Sequence, residues 1–171
     1  DGAILEPHAV VFARVWIGRR VVVGAGSLVG RPGFGFVGAP QTLAQRVPHR
    51  AGVVVGDDVE LGAHCTVDAG ILAPTRIGAQ SKLDSHVHVG HGVELGQRVR
   101  IAAQVGLAGS VVVEDDVWIG GQAGIADHVR VGRGARIAAK AGVIGDIESG
   151  SVVAGYPAVA RTRWLRGQAR L

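Results

Sequence analysis

Aromatic residues make up only 4% of this 171-residue chain, which has one cysteine, Cys65, and no methionine. A single cysteine excludes an intrachain disulfide framework and a thiolate metal cluster, and it favours a reducing compartment such as the cytoplasm. The longest apolar runs, such as residues 53–55 and 111–113, are far shorter than the roughly 18 residues that a membrane span needs. We therefore expect no membrane-spanning segment. A chain that begins at Asp1 and lacks methionine is typical of a trimmed or engineered piece.

Small aliphatic residues and glycine are abundant instead. The chain is 47% hydrophobic and contains 28 glycines, which is typical of a single domain built from tight turns and stacked small side chains. The net charge is +4, with arginines concentrated near the end at Arg161, Arg163, Arg166 and Arg170. These arginines are either ordinary solvated charge or a docking patch for an acidic carrier protein or a phosphate-bearing cofactor. No aromatic platform is interleaved with them, so nucleic-acid binding is not expected.

An aliphatic residue recurs every six positions through the second half of the chain. The series is Ile71, Ile77, Leu83, Val89, Leu95, Ile101, Leu107, Val113, Ile119, Ile125, Val131, Ile137 and Val143. A six-residue period fits a short strand plus a turn wound around a triangular prism, with three hexapeptides in each coil and the aliphatic residues pointing inward. The repeat therefore predicts an all-β fold, a parallel β-helix of hexapeptide repeats.

Two interruptions and a tail divide this pattern. Residues about 31–50 cannot keep the phase and should protrude as a loop, and a shorter slip of phase follows at residues 68–70. The repeat ends at residue 155, and Trp164 suits a short C-terminal cap on the last coil. We predict a β-helix over residues 1–154, a cap or tail over 155–171, and a homotrimer formed through the flat faces of the prism.

Histidines supply the candidate chemistry. If Leu83 and Val89 point inward, His91 lies near a corner and should face outward, either as an inert surface residue or as a general base. Asp84 follows Leu83 by one residue and is predicted to orient the His91 imidazole. His128 comes 37 positions after His91, two 18-residue coils plus one, so it should lie on a nearby edge about 10 Å along the axis.

Several local motifs point to one family. They are Gly33-Phe34-Gly35-Phe36, Thr66-Val67-Asp68-Ala69-Gly70, Leu83 to His91, Ile101 to Ser110, Ile119 to Gln122 and Ala154 to Ala158. These motifs resemble the UDP-3-O-acylglucosamine N-acyltransferases of lipid A biosynthesis over nearly the whole chain, although we expect the family's N-terminal uridine-binding domain to be lacking. The resemblance implies left-handed coils and transfer of a hydroxyacyl chain from acyl carrier protein to the 2-amine of a UDP-linked glucosamine.

The resemblance also implies roles for individual residues. His91 would be the general base, Asp84 its orienting partner, the Gly109 backbone N–H an oxyanion donor, and His128 a second stabilising histidine. Substrate contacts are expected from Phe34, Phe36, Asp68 and Gln104, and the acyl chain is expected in a groove whose floor is Ala141 and Gly142.

No metal and no permanently bound cofactor are expected. The donor would be the phosphopantetheine thioester of acyl carrier protein, or acyl-CoA, and the acceptor a nucleotide sugar.

Three other interpretations remain open at the level of sequence. The ending Gly155-Tyr156-Pro157-Ala158 also occurs among sugar O- and N-acetyltransferases that use acetyl-CoA. His86, His88 and His91 suggest a trimeric zinc carbonic anhydrase of the same fold, although three histidines within six residues are badly distributed for such a site. The chain could also be an inactive or engineered scaffold, which a test of acyl transfer with any thioester would decide.

Overall fold

A computed structural model describes residues 1–39 and 41–168, so Arg170 of the basic end lies outside the described residues. The strands, numbered in chain order, are β1 (Ile4–Leu5), β2 (Val10–Val11), β3 (Val15–Ile17), β4 (Val22–Val23), β5 (Leu28–Pro32), β6 (Phe36–Val37), β7 (Gln45–Arg46), β8 (Val53–Val55), β9 (Glu60–Leu61), β10 (Thr66–Ala69), β11 (Thr75–Ile77), β12 (Lys82–Leu83), β13 (His88–Val89), β14 (Glu94–Leu95), β15 (Arg100–Ile101), β16 (Gly106–Leu107), β17 (Val112–Val113), β18 (Trp118–Ile119), β19 (Gly124–Ile125), β20 (Arg130–Val131), β21 (Arg136–Ile137), β22 (Gly142–Val143), β23 (Val152–Ala154) and β24 (Val159–Ala160). One helix, α1 (Arg161–Gln168), follows them.

Successive strands visit three sheets in turn, which confirms the predicted left-handed parallel β-helix. We name the sheets by their strands. Face 1 is β1-β4-β9-β12-β15-β18-β21-β23, face 2 is β2-β5-β10-β13-β16-β19-β22, and face 3 is β3-β8-β11-β14-β17-β20. All neighbours within these runs are parallel, so residues 18 apart in the regular coils lie directly above one another.

The core is a set of continuous aliphatic columns inside the prism. Leu83 pairs in register with Ile101, and Ile101 with Ile119, as the period predicts. A second buried column, which the sequence analysis missed, lies two residues before each predicted position. Its members include Val87, Val93, Val99, Val105, Val111 and Val117. Each hexapeptide therefore removes two apolar side chains from water, and the gain accumulates coil by coil.

One predicted inward residue is wrong. β10 continues past the inward Val67 to Ala69, with a register shift against β5 between Val67 and Asp68. The extra residues are taken up in a bend, where Ile71 is only partly buried, and the inward series resumes at Thr75 and Ile77. Ile71 is therefore part of the slip, because the chain spends four additional residues there before the next coil begins.

Two segments leave the coils. Between β5 and β8 the chain makes an excursion that contains the antiparallel hairpin β6–β7, and it rejoins the prism through a bridge between Gly52 and Gly70. After β23 the chain turns back as β24, and α1 packs beside these two strands with no fully buried residue.

The division of the chain at residue 154 stays a prediction. In the described residues, no helix combines the length and apolarity needed to cross a membrane.

Candidate active site

A cleft of about 670 Å³ runs along face 2. Its floor is an outward column in which His88, Gly106, Gly124 and Gly142 lie in register on consecutive coils. A Cβ atom added at Gly106 or Gly124 would meet nothing within 4 Å, so the missing side chains leave an open trough. With about 4.8 Å between coils, the column spans roughly 14 Å along the prism axis.

His91 lies at one end of this trough, in the turn that follows β13. The turn of the next coil places Gly109 directly against its ring, because a Cβ at position 109 would lie 2.6 Å from Cε1 and 2.7 Å from Nε2 of His91. Burial lowers the pKa of the His91 imidazole, the nearby His49 and His128 lower it further, and Asp68 opposes them. The net shift keeps the ring neutral, which is the form a general base needs.

Asp68 is the carboxylate of this site. It follows the register shift in β10 and is 2% exposed. Its Oδ1 lies 3.6 Å from Nε of Arg31 and its Oδ2 lies 3.7 Å from Nε2 of His88, distances too long for strong hydrogen bonds. Burial raises the pKa of the Asp68 carboxyl, while His88 and Arg31 act in the opposite direction. Within the described ranges Oδ1 has no hydrogen-bond partner.

The excursion between β5 and β8 brings further side chains to the same end of the cleft. Phe34 lines it and is 84% exposed, and its ring meets that of Phe36 edge-on at 5.3 Å. The Arg46 guanidinium lies 4.6 Å above Phe36 and donates a hydrogen bond to the carbonyl of Gly33. His49 packs against His91 with 5.1 Å between ring centroids.

The structure does not bring Asp84 to His91. Asp84 follows β12 on face 1, accepts a hydrogen bond from the backbone N–H of Ser85, and lines a different cleft. A step of one hexapeptide moves the chain to the next face, whereas residues on the same edge are 18 positions apart. Within one chain Asp84 therefore lies on a different face from His91, and its orienting role stays a prediction. Asp68 is the carboxylate that raises the pKa of His91.

Gly109 and His128 lie one and two coils beyond His91 in the same stack of turns. Gly109 lines the cleft, and no described residue accepts a hydrogen bond from its N–H. His128 is exposed, its backbone N–H donates to the Gly109 carbonyl, and its side chain is close enough to affect the pKa of His91. Gln104 lies at another corner, outside the cleft lining, and accepts a hydrogen bond from Gln122, which does line the cleft.

The far end of the trough is closed by an aromatic ring. Ala141 and Gly142 line the cleft as predicted, but the space above Gly142 is not open, because a Cβ there would overlap the ring of Tyr156. The open stretch of the trough therefore covers Gly106 and Gly124, and the ring of Tyr156 ends it at Gly142.

A second cleft, of about 720 Å³, lies on face 1. Trp118 stands at its centre, 52% exposed, between Arg100 and Arg136, whose guanidinium carbons lie 5.6 and 5.7 Å from the indole ring. Asp84 lines this cleft as well.

The three clustered histidines separate in the structure. His86 lies at the corner between faces 1 and 2, where its ring stacks on that of His64 at 5.2 Å, while His88 and His91 belong to the first cleft. No group of three or more histidine, cysteine, aspartate or glutamate side chains in the described chain is arranged to hold a metal ion.

Sequence reasoning missed three residues of the site, namely Arg31, His49 and Tyr156. Arg31 pairs in register with Asp68 only because of the shift in β10, which the four-residue slip of phase signals. His49 reaches His91 through the excursion, and the sequence carries no periodic signal for that contact.

Comparison with known proteins agrees with this architecture. The family model for bacterial transferase hexapeptide repeats matches residues 74–109 and 110–145. UDP-3-O-acylglucosamine N-acyltransferase of Caulobacter sp. strain K31 is 43% identical over 91% of this chain and 45% of that protein. The enzyme of that name from Wolinella succinogenes is 37% identical over 98% of this chain and 53% of that protein.

This chain is a homologue of part of the UDP-3-O-acylglucosamine N-acyltransferases. It spans about half the length of the curated relatives it matches. Among solved structures, a UDP-N-acetylglucosamine acyltransferase from Campylobacter jejuni superposes with a TM-score of 0.77 at 25% identity, over 94% of this chain and 68% of the other. The Arabidopsis protein described by the same name has a TM-score of 0.79 at 23% identity, over 98% and 65% respectively, and supports the fold alone.

Proposed function

We propose that this chain is the catalytic part of an N-acyltransferase that moves an acyl chain from a thioester to the amine of a nucleotide-linked amino sugar. The observation that carries the proposal is the position of His91, a half-buried imidazole with a lowered pKa, at one end of a side-chain-free trough and close to a buried carboxylate. The homologues' names agree with this chemistry.

The chemistry follows from the geometry. His91 removes a proton from the sugar amine, whose nitrogen attacks the thioester carbonyl, and the N–C bond forms as the carbonyl oxygen gains negative charge. The Gly109 N–H, which has no other acceptor in the described residues, donates to that oxygen, an interaction often worth about 3 to 4 kcal/mol in the barrier. Collapse breaks the C–S bond, and the thiolate takes the proton from His91. His128 acts as a second stabilising histidine in the same stack of turns.

The remaining residues bind the substrates. The acyl chain lies in the trough over Gly106 and Gly124 and stops at Tyr156, while Asp68, Phe34 and Phe36 contact the acceptor at the other end. Gln104 acts through its hydrogen bond to Gln122.

The donor is a phosphopantetheine thioester on acyl carrier protein, with acyl-CoA as the alternative, and it is a substrate rather than a bound cofactor. Arg161, Arg163 and Arg166 are exposed in α1, which follows Tyr156 by a few residues along the chain, and their positive charge suits an acidic carrier. We place the reaction in the cytoplasm.

The active protein is a homotrimer with its active sites between chains. The trough is open along one side, and acyl transfer needs a second wall that excludes water from the thioester. A neighbouring chain can supply that wall in a closed threefold arrangement.

Acyl transfer by the purified protein tests the proposal. The assay uses acyl carrier protein loaded with a long acyl chain as the donor and UDP-3-O-acylglucosamine as the acceptor. We expect product from the native protein and a kcat at least about 10²-fold lower in His91→Ala, whose circular dichroism spectrum should be unchanged. His8→Ala, which alters an exposed histidine in the first coil, is the matched control and should retain activity.

Native mass spectrometry with acyl carrier protein, acyl-CoA and the nucleotide sugar, each added separately, reports the oligomeric state and the donor class. A His91→Ala variant as active as the native protein would remove His91 from the mechanism. A preference for acetyl-CoA over long-chain donors would replace the proposal with a sugar acetyltransferase.

A further inference from the structure

His49 has an unusual environment in the excursion. Its Nδ1 lies 2.8 Å from the carbonyl oxygen of Val47. Its Nε2 is buried and has no hydrogen-bond partner in the part of the chain that the structure describes. A buried polar atom without a partner costs about 1 to 3 kcal/mol, so such an atom calls for a physical explanation.

The contact with Val47 fixes the tautomer of the neutral ring. A carbonyl oxygen only accepts hydrogen bonds, so Nδ1 must carry the proton, and Nε2 is then left with a lone pair. The free nitrogen of His49 is therefore a hydrogen-bond acceptor.

The carboxylate of Asp68 lies across the same space, with Oδ2 as its nearer oxygen. Asp68 Oδ1 is also buried without a partner in the described residues. The space left by the absent side chain of Gly33 lies between the two residues, since a Cβ there would be 3.0 Å from Asp68 Oδ2, 3.1 Å from His49 Nε2 and 3.2 Å from His91 Cβ. His49 Nε2 and Asp68 Oδ2 are thus no more than about 6 Å apart.

Nothing in the described protein donates to this pair of acceptors at hydrogen-bond distance. Arg31 and His88 are 3.6 and 3.7 Å from the Asp68 oxygens, and Arg46 donates to the Gly33 carbonyl instead. Two neighbouring acceptors next to a general base are suited to a ligand that carries several O–H or N–H donors.

We propose that His49 Nε2 accepts a hydrogen bond from a hydroxyl or amino group of the acceptor sugar and, with Gly33 keeping the space open beside Asp68, forms a subsite that selects polyhydroxylated amines. This inference rests on the proposed function, because it assigns the acceptor to this end of the cleft. It makes His49 a specificity-determining residue, separate from the proton transfer at His91.

Steady-state kinetics at pH 8, in which the acceptor and the donor are each varied at a saturating concentration of the other, separate this role from a structural one. His49→Phe keeps a ring of similar size but loses the acceptor nitrogen, and Gly33→Ala fills the space with a methyl group. Both should raise the acceptor KM at least about tenfold while leaving the donor KM within about twofold. His49→Gln is the matched control, because its amide oxygen can replace Nε2, and it should stay within about threefold of the native acceptor KM.

Nitrogen NMR supplies a readout that does not depend on turnover. The free protein should show His49 protonated at Nδ1, and UDP-3-O-acylglucosamine added without donor should move the Nε2 resonance, whereas UDP alone should not. If the native protein transfers no acyl group, the proposed function fails and this titration still decides the subsite. An Nε2-protonated His49, an Nε2 signal indifferent to the sugar, or an unchanged acceptor KM in His49→Phe would overturn the inference.

Discussion

At the scale of single residues, the site depends on the close approach of His91 and Gly109. The imidazole occupies space that any side chain at position 109 would need, since a Cβ there would lie 2.6 Å from Cε1 of His91. Contacts this short are not tolerated, so either the ring or the turn must move. The glycine therefore sets the orientation of the proposed general base, in addition to the oxyanion contact proposed for its N–H.

Gly109→Ala should lower kcat by at least about tenfold while the thermal midpoint changes little, because the displaced group is a half-buried ring in a cleft rather than part of the core. Gly145→Ala is the matched control. Position 145 occupies the equivalent place two coils further along, and a Cβ there meets nothing within 4 Å. Equal activity of the two variants in acyl transfer would show that Gly109 does not position His91.

Burial of the Asp68 carboxylate lowers the stability of the fold and supplies a group that can bind the acceptor. Burial raises the pKa of this carboxyl, so the ionised form costs more free energy in the folded protein than in the unfolded chain. By linkage, this penalty is absent below the pKa of an unfolded aspartate, about 3.9, and grows as the pH rises through the raised value.

Asp68→Asn removes the charge while keeping the shape. We expect a gain of about 1 kcal/mol in the free energy of unfolding at pH 7, or roughly 2–4 °C in Tm, together with weaker acceptor binding. The gain should disappear near pH 3.5, where Asp68 is protonated in both states. A lower Tm at pH 7 would mean that the Arg31 and His88 interactions outweigh the burial.

At the scale of elements, the hexapeptide period predicts which residues of the coils point inward, because every regular coil repeats the same geometry. It fails at Ile71 and at Asp84 for related reasons. A slip of phase moves the inward positions, and a shift of one hexapeptide moves a residue to another face. Both errors concern which face a residue lies on and where the inward positions fall after an irregular segment. These depend on the turns rather than on the hydrophobic pattern.

The site was less predictable than the coils. His91, Gly109 and His128 come together because they are separated by one or two coil lengths, so spacing locates them. His49 reaches the site through an irregular excursion, and Tyr156 reaches it after the repeat has ended. Neither contact follows a period, and only three-dimensional packing reveals them.

The segment after β22 defines the length of the trough. Tyr156 covers Gly142, whereas Gly106 and Gly124 are open, so the ring is the end wall of the proposed acyl site. Tyr156→Ala should shift the optimum of kcat/KM toward longer acyl donors, since each additional buried methylene contributes up to about 0.8 kcal/mol. Tyr156→Phe keeps the wall and is the control. An unchanged chain-length profile in Tyr156→Ala would place the acyl chain elsewhere.

At the scale of the whole molecule, a threefold assembly joins two different faces of the chain. In the proposed homotrimer each copy would use one surface toward one neighbour and another surface toward the second, because a threefold interface is heterologous. Face 2 carries the cleft with His91, so its partner must be face 1 or face 3. Beside the trough, face 3 presents the charged residues Arg76, Glu94 and Arg130, and its tryptophan, Trp16, lies in an earlier coil. Face 1 presents the half-exposed Trp118 in its own cleft, in the coil that also carries Gly124.

Face 1 is therefore the expected second wall of the active site. A large aromatic residue at the centre of a cleft, flanked by arginines, has the composition of an interface hot spot. Its burial against the glycine trough of a neighbour would also enclose the acyl chain. Asp84, which does not reach His91 within one chain, lies on this wall.

Trp118→Glu should convert the trimer into monomers and abolish acyl transfer, because the contact loses its central indole and gains a charged side chain in its place. Sedimentation velocity at micromolar concentration measures the change in mass. Trp16→Glu is the matched control: Trp16 is 76% exposed on face 3, so its substitution should leave both the trimer and the activity intact. A Trp118→Glu protein that remains trimeric, or a Trp16→Glu protein that dissociates, would assign the interface to face 3 instead.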